Sequence, residues 1–285
     1  MSVITRPSAA RRPSRAAVTG DLGIRIGAVL AVLVVAAAIF GPVIAPHSPT
    51  DTIGIPGSPA GHGAVLGLDF EGRDVLSRVL AGGRSTLLLG AAATLLTYVL
   101  GLTVGLVAGY STSLVDPLLM RGVDVLLSVP ALLVMLLFVT GLGSAPWVLV
   151  LAAALVLFPG VARIVRSATM EVAGRGYVEA AVARGESTFA LLRRSILPNI
   201  TSPVVADIGV RSSWSIILIA SVNFLGLGLR PPTPDWGVMI SENRTIIPTN
   251  PLSVIVPALM LALLIIAVNL VGDGLLRRMN RSGGA

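Results

Sequence analysis

The chain of 285 residues contains no cysteine and only two histidines, His47 and His62. Disulfides, thiolate nucleophiles and Cys/His metal clusters are therefore outside its chemistry. Lysine is also missing, since all 21 basic residues are arginine. A phosphate-binding loop needs its lysine to reach the β- and γ-phosphates, so the chain has no means of hydrolysing ATP by that route. Charge as a whole is scarce. Charged residues make up 12% of the chain and hydrophobic residues 54%, whereas a soluble domain carries about 25% charged residues. The mean hydropathy is +0.89. What remains is a set of apolar runs near 20 residues, the length that crosses a hydrocarbon core of about 30 Å. The composition is that of an all-α polytopic membrane protein.

Six spans fit the hydropathy, over residues 24–45, 85–110, 123–141, 147–164, 204–229 and 252–276. Arginine placement orients them. Fifteen arginines fall on one side, in the N-terminal tail, after span two, between spans four and five and in the C-terminal tail. Only Arg73, Arg78, Arg84, Arg230 and Arg244 fall on the other. The positive-inside rule puts both termini and the segment between spans four and five in the cytoplasm. The isoelectric point near 11.2 is read as topology rather than nucleic-acid binding, because the arginines flank spans without aromatic interleaving. Arg11-Arg12 before an apolar run resembles an export signal, but the run is long and lacks a convincing cleavage site, so an uncleaved first span is expected. Gly101, Gly105 and Gly109 recur every four residues and make one smooth helix face for close helix packing. Pro130, Pro159 and Pro257 are expected to kink spans three, four and six.

The polar interruption YVEAAVARGESTFALLRRSILP, residues 177–198, stands out against this background. Its first part has good helix formers, with Tyr177, Ala180, Ala181 and Arg184 on one face. Gly185 supplies the conformation that ends a helix. Ser187 or Thr188 can cap a second short helix, with Phe189, Leu192 and Ile196 on one side and Leu197-Pro198 at its end. An angled pair of short helices with an apolar face and no lipid to enter needs a partner groove. Burial of Phe189 and Leu192 there is worth about 1.5–3 kcal/mol each.

Glu179-Ala180-Ala181, then Gly185 after three residues and Leu197-Pro198 twelve further on, resembles the EAA loop of permease subunits of bacterial ABC importers. In that family the loop forms a coupling helix seated in a cleft of the ATP-hydrolysing subunit, which implies that role for Glu179, Ala180, Ala181, Gly185, Phe189, Leu192, Leu197 and Pro198. The isoleucine usual two places before Leu-Pro is Ser195 here, with Ile196 one place later. LGLDFEGRDVLSRVLAGGRSTL (66–87), DPLLMRGVDVLLSVP (116–130) and NFLGLGLRPPTPDWGVMI (223–240) resemble the C-type permease subunits of dipeptide, oligopeptide and nickel importers. The resemblance implies a type I ABC importer permease fold in the bacterial plasma membrane. It also implies a B-type permease partner, one or two P-loop ATPase chains that carry the ATP and magnesium, and an external substrate-binding lipoprotein. This chain itself would hold no cofactor and no metal.

Two further regions carry candidates. Residues 46–84 offer Asp69, Glu71, Arg73, Asp74 and Arg78, with Asp74 able to cap a short helix through Leu80. They either dock the binding protein or cover the bundle with internal ion pairs. In 230–250, Trp236 is either an interfacial anchor or part of a gate. Ionisable groups inside spans are functional candidates by default. Asp207 and Arg211, at i and i+4, either pair or leave Arg211 to snorkel to the interface. Asn223 and Asn269 are either interhelical glue or contacts for passing substrate.

The expected organisation is a cytoplasmic tail over 1–23, a first span and external loop over 24–84, and a permease core over 85–276 with its coupling loop at 167–200. A tail over 277–285 closes the chain. The expected function is a non-enzymatic permease subunit of an ATP-driven importer of dipeptides or oligopeptides; nickel chelates or other peptide-like ligands are the alternative cargo. A gradient-driven carrier would carry carboxylates deep in its spans and two related halves. An intramembrane enzyme would need a nucleophile–base pair or a metal site, and neither histidine falls in a span.

Overall fold

A computed structural model describes residues 15–282 apart from 62, 112 and 113, with side chains described from 25 onward except at 278 and 280–282. His62 and the tail arginines Arg6, Arg11 and Arg12 lie outside the described residues. The described chain is helical, its β-type pairing limited to isolated bridges between 52 and 74. The helices are α1 (Arg15–Ile44), α2 (Val75–Tyr110), α3 (Val115–Ser128), α4 (Ala131–Leu142), α5 (Pro146–Ala173), α6 (Gly176–Ala183), α7 (Thr188–Leu191), α8 (Thr201–Phe224), α9 (Trp236–Asn243) and α10 (Leu252–Ser282). Among the described residues, α1, α2, α5, the α7–α8 path and α10 are long and apolar enough to cross a membrane; α3 and α4 together make a sixth, bent candidate.

Several boundaries differ from the hydropathy reading, each for a local reason. The second span was expected to begin at Ser85, with a separate short helix ahead of it. Instead α2 is one helix of 36 residues, about 54 Å at 1.5 Å per residue, and its first turns stand clear of a 30 Å core. Asp74 does cap it, accepting from the Ser77 amide at 3.1 Å. The third span is not merely kinked but broken, with α3 and α4 meeting at 88°. Proline disfavours helical geometry in the residue before it, and Val129 is extended at φ −96°, ψ 131°. By contrast α5 and α10 run unbroken through Pro159 and Pro257. Helix α5 also reaches nine residues past the expected end of span four, which places Arg166 on a helix rather than in a loop. Helix α8 stops at Phe224, short of the expected 229, where Gly226 turns at φ +75°.

The core is organised around α5, which packs against α2, α3, α4 and α8. The Gly101/Gly105/Gly109 face is the α2 side of its closest contact. A Cβ built on these glycines would meet Val161 Cβ at 2.6 Å, Val165 Cβ at 2.6 Å and Thr169 Cβ at 2.7 Å, respectively. One apolar cluster joins Leu89, Met135, Leu149 and Leu218 across α2, α4, α5 and α8. A second joins Val34, Val75, Trp236 and Leu264, and ties α1 and α10 to the same end of α2. The two ends of the bundle differ. Segments 45–74 and 225–251 close one end, the cap, and the elbow 174–200 forms the other.

The glycine face makes a direct prediction. Gly105→Leu should drive α2 and α5 apart and lower stability by about 1–3 kcal/mol or more, read as a fall in the midpoint of thermal unfolding of the detergent-solubilised protein. Gly141→Leu, at a position with open space around it, should leave the midpoint nearly unchanged.

Candidate functional sites

The elbow is built by three local devices. Helix α6 ends in a Schellman turn, with Gly185 N–H bonded to the Val182 carbonyl at 2.9 Å and Glu186 N–H to the Ala181 carbonyl at 3.2 Å. That turn needs a left-handed residue after the cap, and Gly185 sits at φ +77°. Ser187 then caps α7 through the Ala190 amide at 3.4 Å. Beyond α7 the chain does not stop at Leu197-Pro198 as expected. A π turn over Leu192–Ile196 and a 3₁₀ turn over Leu197–Ile200 carry it without interruption into α8, because Pro198, early in the 3₁₀ turn, falls where its missing N–H is no loss.

The faces also differ from expectation. In α6 the inner face is Val178 and Ala181, both buried, while Tyr177, Glu179, Ala180 and Arg184 are exposed. The expected Phe189/Leu192/Ile196 stripe divides. Ile196 is fully buried, Leu192 and Leu197 pack against the cluster of Tyr98, Val165 and Val178, and only Phe189 stands out, 73% exposed. Pro198 is exposed, and a groove of about 580 Å³ opens beside Glu179, between Tyr110, Met170 and Val182. The elbow thus offers a prominent aromatic, a carboxylate and a groove on a helix pair fixed to the bundle by its own apolar residues.

At the cap, the candidates Asp69, Arg73, Asp74 and Arg78 are all buried. Asp69 accepts from Arg73 Nε at 2.8 Å and from Arg78 Nη1. Glu242, on α9, lies 3.3 Å from Arg73 and 2.9 Å from Arg78. Glu71 adds a more exposed contact to Arg73 at 2.8 Å, and His47 stands 3.4 Å from Asp74. Asp69, Arg73 and Arg78 are thus turned into one another, while Asp74 is taken by Ser77 and His47. Trp236 is no interfacial anchor: it is fully buried, and its indole N–H donates to the Val79 carbonyl at 2.8 Å.

Asn223 is likewise turned inward, donating to Asp235 at 2.8 Å and accepting from the Leu229 amide at 2.9 Å. Asp235 was not singled out by the sequence, yet it is the hub of the cap. One oxygen caps α9 and holds Asn223, and the other accepts from Thr86 at 2.8 Å and Ser85 at 3.1 Å. An aspartate directly ahead of a helical run is an N-cap signal that could have found it. Glu242 carried no such signal, since its partners lie about 170 residues away.

At mid-bundle a cavity of about 440 Å³ lies between α2, α8 and α10, lined by Thr94, Tyr98, Ser212 and Ile216 among apolar residues. Tyr98 donates from that wall to Asp207 at 3.0 Å, and Asp207 pairs with Arg211 Nε at 2.9 Å. Arg211 therefore does not snorkel. It sits ten residues into α8, about 15 Å from its start, and takes the carboxylate one turn away. Asn269 donates to Ser213 at 2.6 Å, which ties α10 to α8.

Residues 101–282 match the family described as binding-protein-dependent transport system inner membrane component. A di/tripeptide transport system permease protein of Pseudomonas aeruginosa is 36% identical over 263 residues, covering 90% of this chain and 86% of its own length. A glutathione transport system permease protein of Pectobacterium atrosepticum is 40% identical over 210 residues, 74% of this chain and 70% of the relative. A dipeptide transport system permease protein of Haemophilus influenzae is 34% identical, covering 89% and 88%. Among solved structures, an inward-facing methionine ABC transporter aligns at TM-score 0.58 and 17% identity, over 70% of this chain and 95% of that one. An amino acid ABC transporter aligns at TM-score 0.54 and 19% identity, over 72% and 94%. These last two likenesses concern the fold alone.

The cap predicts a pH dependence. Burial pushes the Asp69 carboxyl up, but the Arg73 amide and the Arg78 and Arg73 guanidinium groups outweigh it and hold the pKa below its ordinary 3.8. A group depressed on folding contributes stability that is complete above the unfolded pKa and lost as pH falls through the folded one. The unfolding midpoint should thus carry an Asp69-dependent fall below pH 3.8. Asp69→Asn should remove that part of the acid dependence while lowering the midpoint at pH 7, since it leaves two buried arginines short of a counter-charge.

Proposed function

The chain belongs to the family of binding-protein-dependent transport system inner membrane components, and from that premise we propose that it is one permease half of an ATP-driven peptide importer. It lies in the bacterial plasma membrane with both termini cytoplasmic, the orientation favoured by its arginine asymmetry. A second, B-type permease completes the pathway. One or two P-loop ATPase chains bind ATP and magnesium beneath the elbow, and an external lipoprotein delivers the cargo. Dipeptides and oligopeptides are the favoured cargo because relatives named for di- and tripeptides match nearly the whole chain. The relatives named for glutathione support a cargo range that extends to peptide-like ligands.

The observation that carries the reading is the elbow. Phe189 is a large apolar side chain left 73% exposed on a polar segment, while its neighbours Leu192, Ile196 and Leu197 are used to fix that segment to the bundle. Nothing within the described chain covers it, and a groove in an ATPase partner would. The chain contributes shape and a lever, and bond chemistry stays with the ATPase.

Co-purification in mild detergent should bring down a P-loop ATPase and a second permease. Phe189→Ala should weaken ATPase association by about 10- to 150-fold, the equivalent of 1.5–3 kcal/mol. Gly185→Val, strained at φ +77° where no neighbour stands within 4 Å, should leave the protein in the membrane but abolish binding-protein-stimulated ATP hydrolysis and peptide uptake. Full uptake by that variant, or purification of the wild-type chain without any ATPase, would overturn the coupling role.

A further inference from the structure

Among the described residues, Arg211 holds an arginine fork that is deep in a span and only half used. Its Nε is committed to Asp207 at 2.9 and 3.2 Å. Both hydrogen bonds that the Arg211 side chain donates to described residues leave from Nε, and none leaves from Nη1 or Nη2. Arg73 and Arg78 also leave nitrogens without a hydrogen bond, Nη1 of the first and Nε and Nη2 of the second, but carboxylates of Glu71 and Glu242 stand at 2.8 and 2.9 Å from Arg73 Nη1 and Arg78 Nη2. Arg73 and Arg78 are closed into the cap network, and Arg166 is spent on Asp116 through both Nε and Nη2, at 2.5 and 2.6 Å. A guanidinium at membrane depth without partners for its fork is costly, and Asp207 offsets only its charge.

The surroundings point to what completes it. Arg211 crosses from α8 to α5 and lies flat against Gly160, where a Cβ would stand 2.6 Å from Nη2 and 2.7 Å from Nη1. The missing side chain at Gly160 is what makes room for the fork. Asp207 is itself anchored from α2 by Tyr98, so three helices fix the guanidinium's position. One to two turns nearer the elbow, the same α5 face carries Arg163 and Ser167, and with Glu171 and with Pro203 of α8 they line a neighbouring groove of about 440 Å³. The Arg211 side chain as a whole is 21% exposed. Two parallel N–H groups in that geometry match a carboxylate bidentately, where an ammonium group would be repelled.

We infer that Arg211 binds the carboxylate of the cargo in transit, with Asp207 and Tyr98 as the residues that position it. This inference rests on the peptide-importer reading and adds to it a polarity: the cargo's carboxyl end engages α8, and a ligand without that carboxylate passes less readily.

The test uses the complete transporter in proteoliposomes, with the binding protein saturated either by alanyl-alanine or by its C-terminal amide. Wild type should move the free acid at least tenfold faster than the amide. Arg211→Gln should collapse that ratio toward one, chiefly by slowing the free acid, while binding-protein-stimulated ATP hydrolysis persists. Arg211→Lys should fall between the two, since it keeps the charge and loses the fork, and Gly160→Ala should lower the ratio by crowding the guanidinium without removing it. An unchanged ratio in Arg211→Gln, or an equal loss of both substrates together with the ATPase stimulation, would overturn the inference and leave Arg211 a structural residue. A wild-type complex that hydrolyses ATP yet moves neither peptide would instead overturn the peptide reading itself.

Discussion

At membrane depth no water stands ready to satisfy a polar group, and most of this structure's polar architecture follows from that constraint. The hydroxyls of Thr94, Ser213, Ser215 and Ser221 fold back onto carbonyls one turn earlier in their own helices, the cheapest solution available to a short side chain. Longer polar groups reach between helices. Asn269 spans α10 to α8, and Asp235 gathers donors from α2, α8 and α9 at a single carboxylate. In a bundle whose apolar faces gain little from avoiding lipid, such contacts and the close α2–α5 glycine face do much of what a hydrophobic core does in water.

The cap shows the same rule at higher charge. Asp69 and the two arginines beside it are fully buried, with Glu242 nearly so, and the arrangement joins the loop after α1 to the helix before α10. Buried ion pairs are weak evidence for stability, because desolvation offsets most of the attraction. Their stronger property is specificity. Each arginine has carboxylates from two distant segments within reach, so segments 45–74 and 225–251 fit together in one register. Phe70 N–H to Asn243 and the Asn250 amide to the Leu66 and Leu68 carbonyls fix the same register with neutral bonds.

The sequence made some of this legible and concealed the rest for physical reasons. The smooth glycine face, the Asp74 cap, the Gly185 turn and the Ser187 cap are all local properties of spacing or turn chemistry, and all are present in the fold; of the six expected spans, five are single helices and the third is the bent α3–α4 pair. The α3–α4 break was signalled by Pro130, but its 88° angle was not, since proline removes a hydrogen bond without dictating how far the halves swing. Hydropathy also could not reveal that α2 starts at Val75, because amphipathic turns outside the membrane add no apolar run. The fate of the charged residues was the least legible. Whether Asp69, Arg73 and Arg78 face a partner or one another depends on Glu242, about 170 residues away in the chain. Whether Arg211 snorkels or pairs depends on Gly160 leaving room on a different helix. Periodicity on one segment carries no information about either.

The elbow and the mid-span arginine are connected by the backbone itself. From Thr188 to Phe224 the helical path is continuous, passing through a π turn and a 3₁₀ turn before α8. Phe189 and Arg211 are 22 residues apart on it, roughly 33 Å at helical rise. A force applied at Phe189 therefore reaches Arg211 along one rod rather than through a chain of side-chain contacts. The irregular turns at 192–200 are the places where that rod can change pitch, and their inward residues Ile196 and Ile200 are held in the cluster with Val165 of α5. Helix α8 lies on α5 along this path, and the approach of Arg211 to Gly160 is one of the contacts between them. On the reading proposed above, a ligand that gripped the fork more tightly in one position of α8 than in another would bias the elbow, and a partner at the elbow would bias the fork by the same free energy.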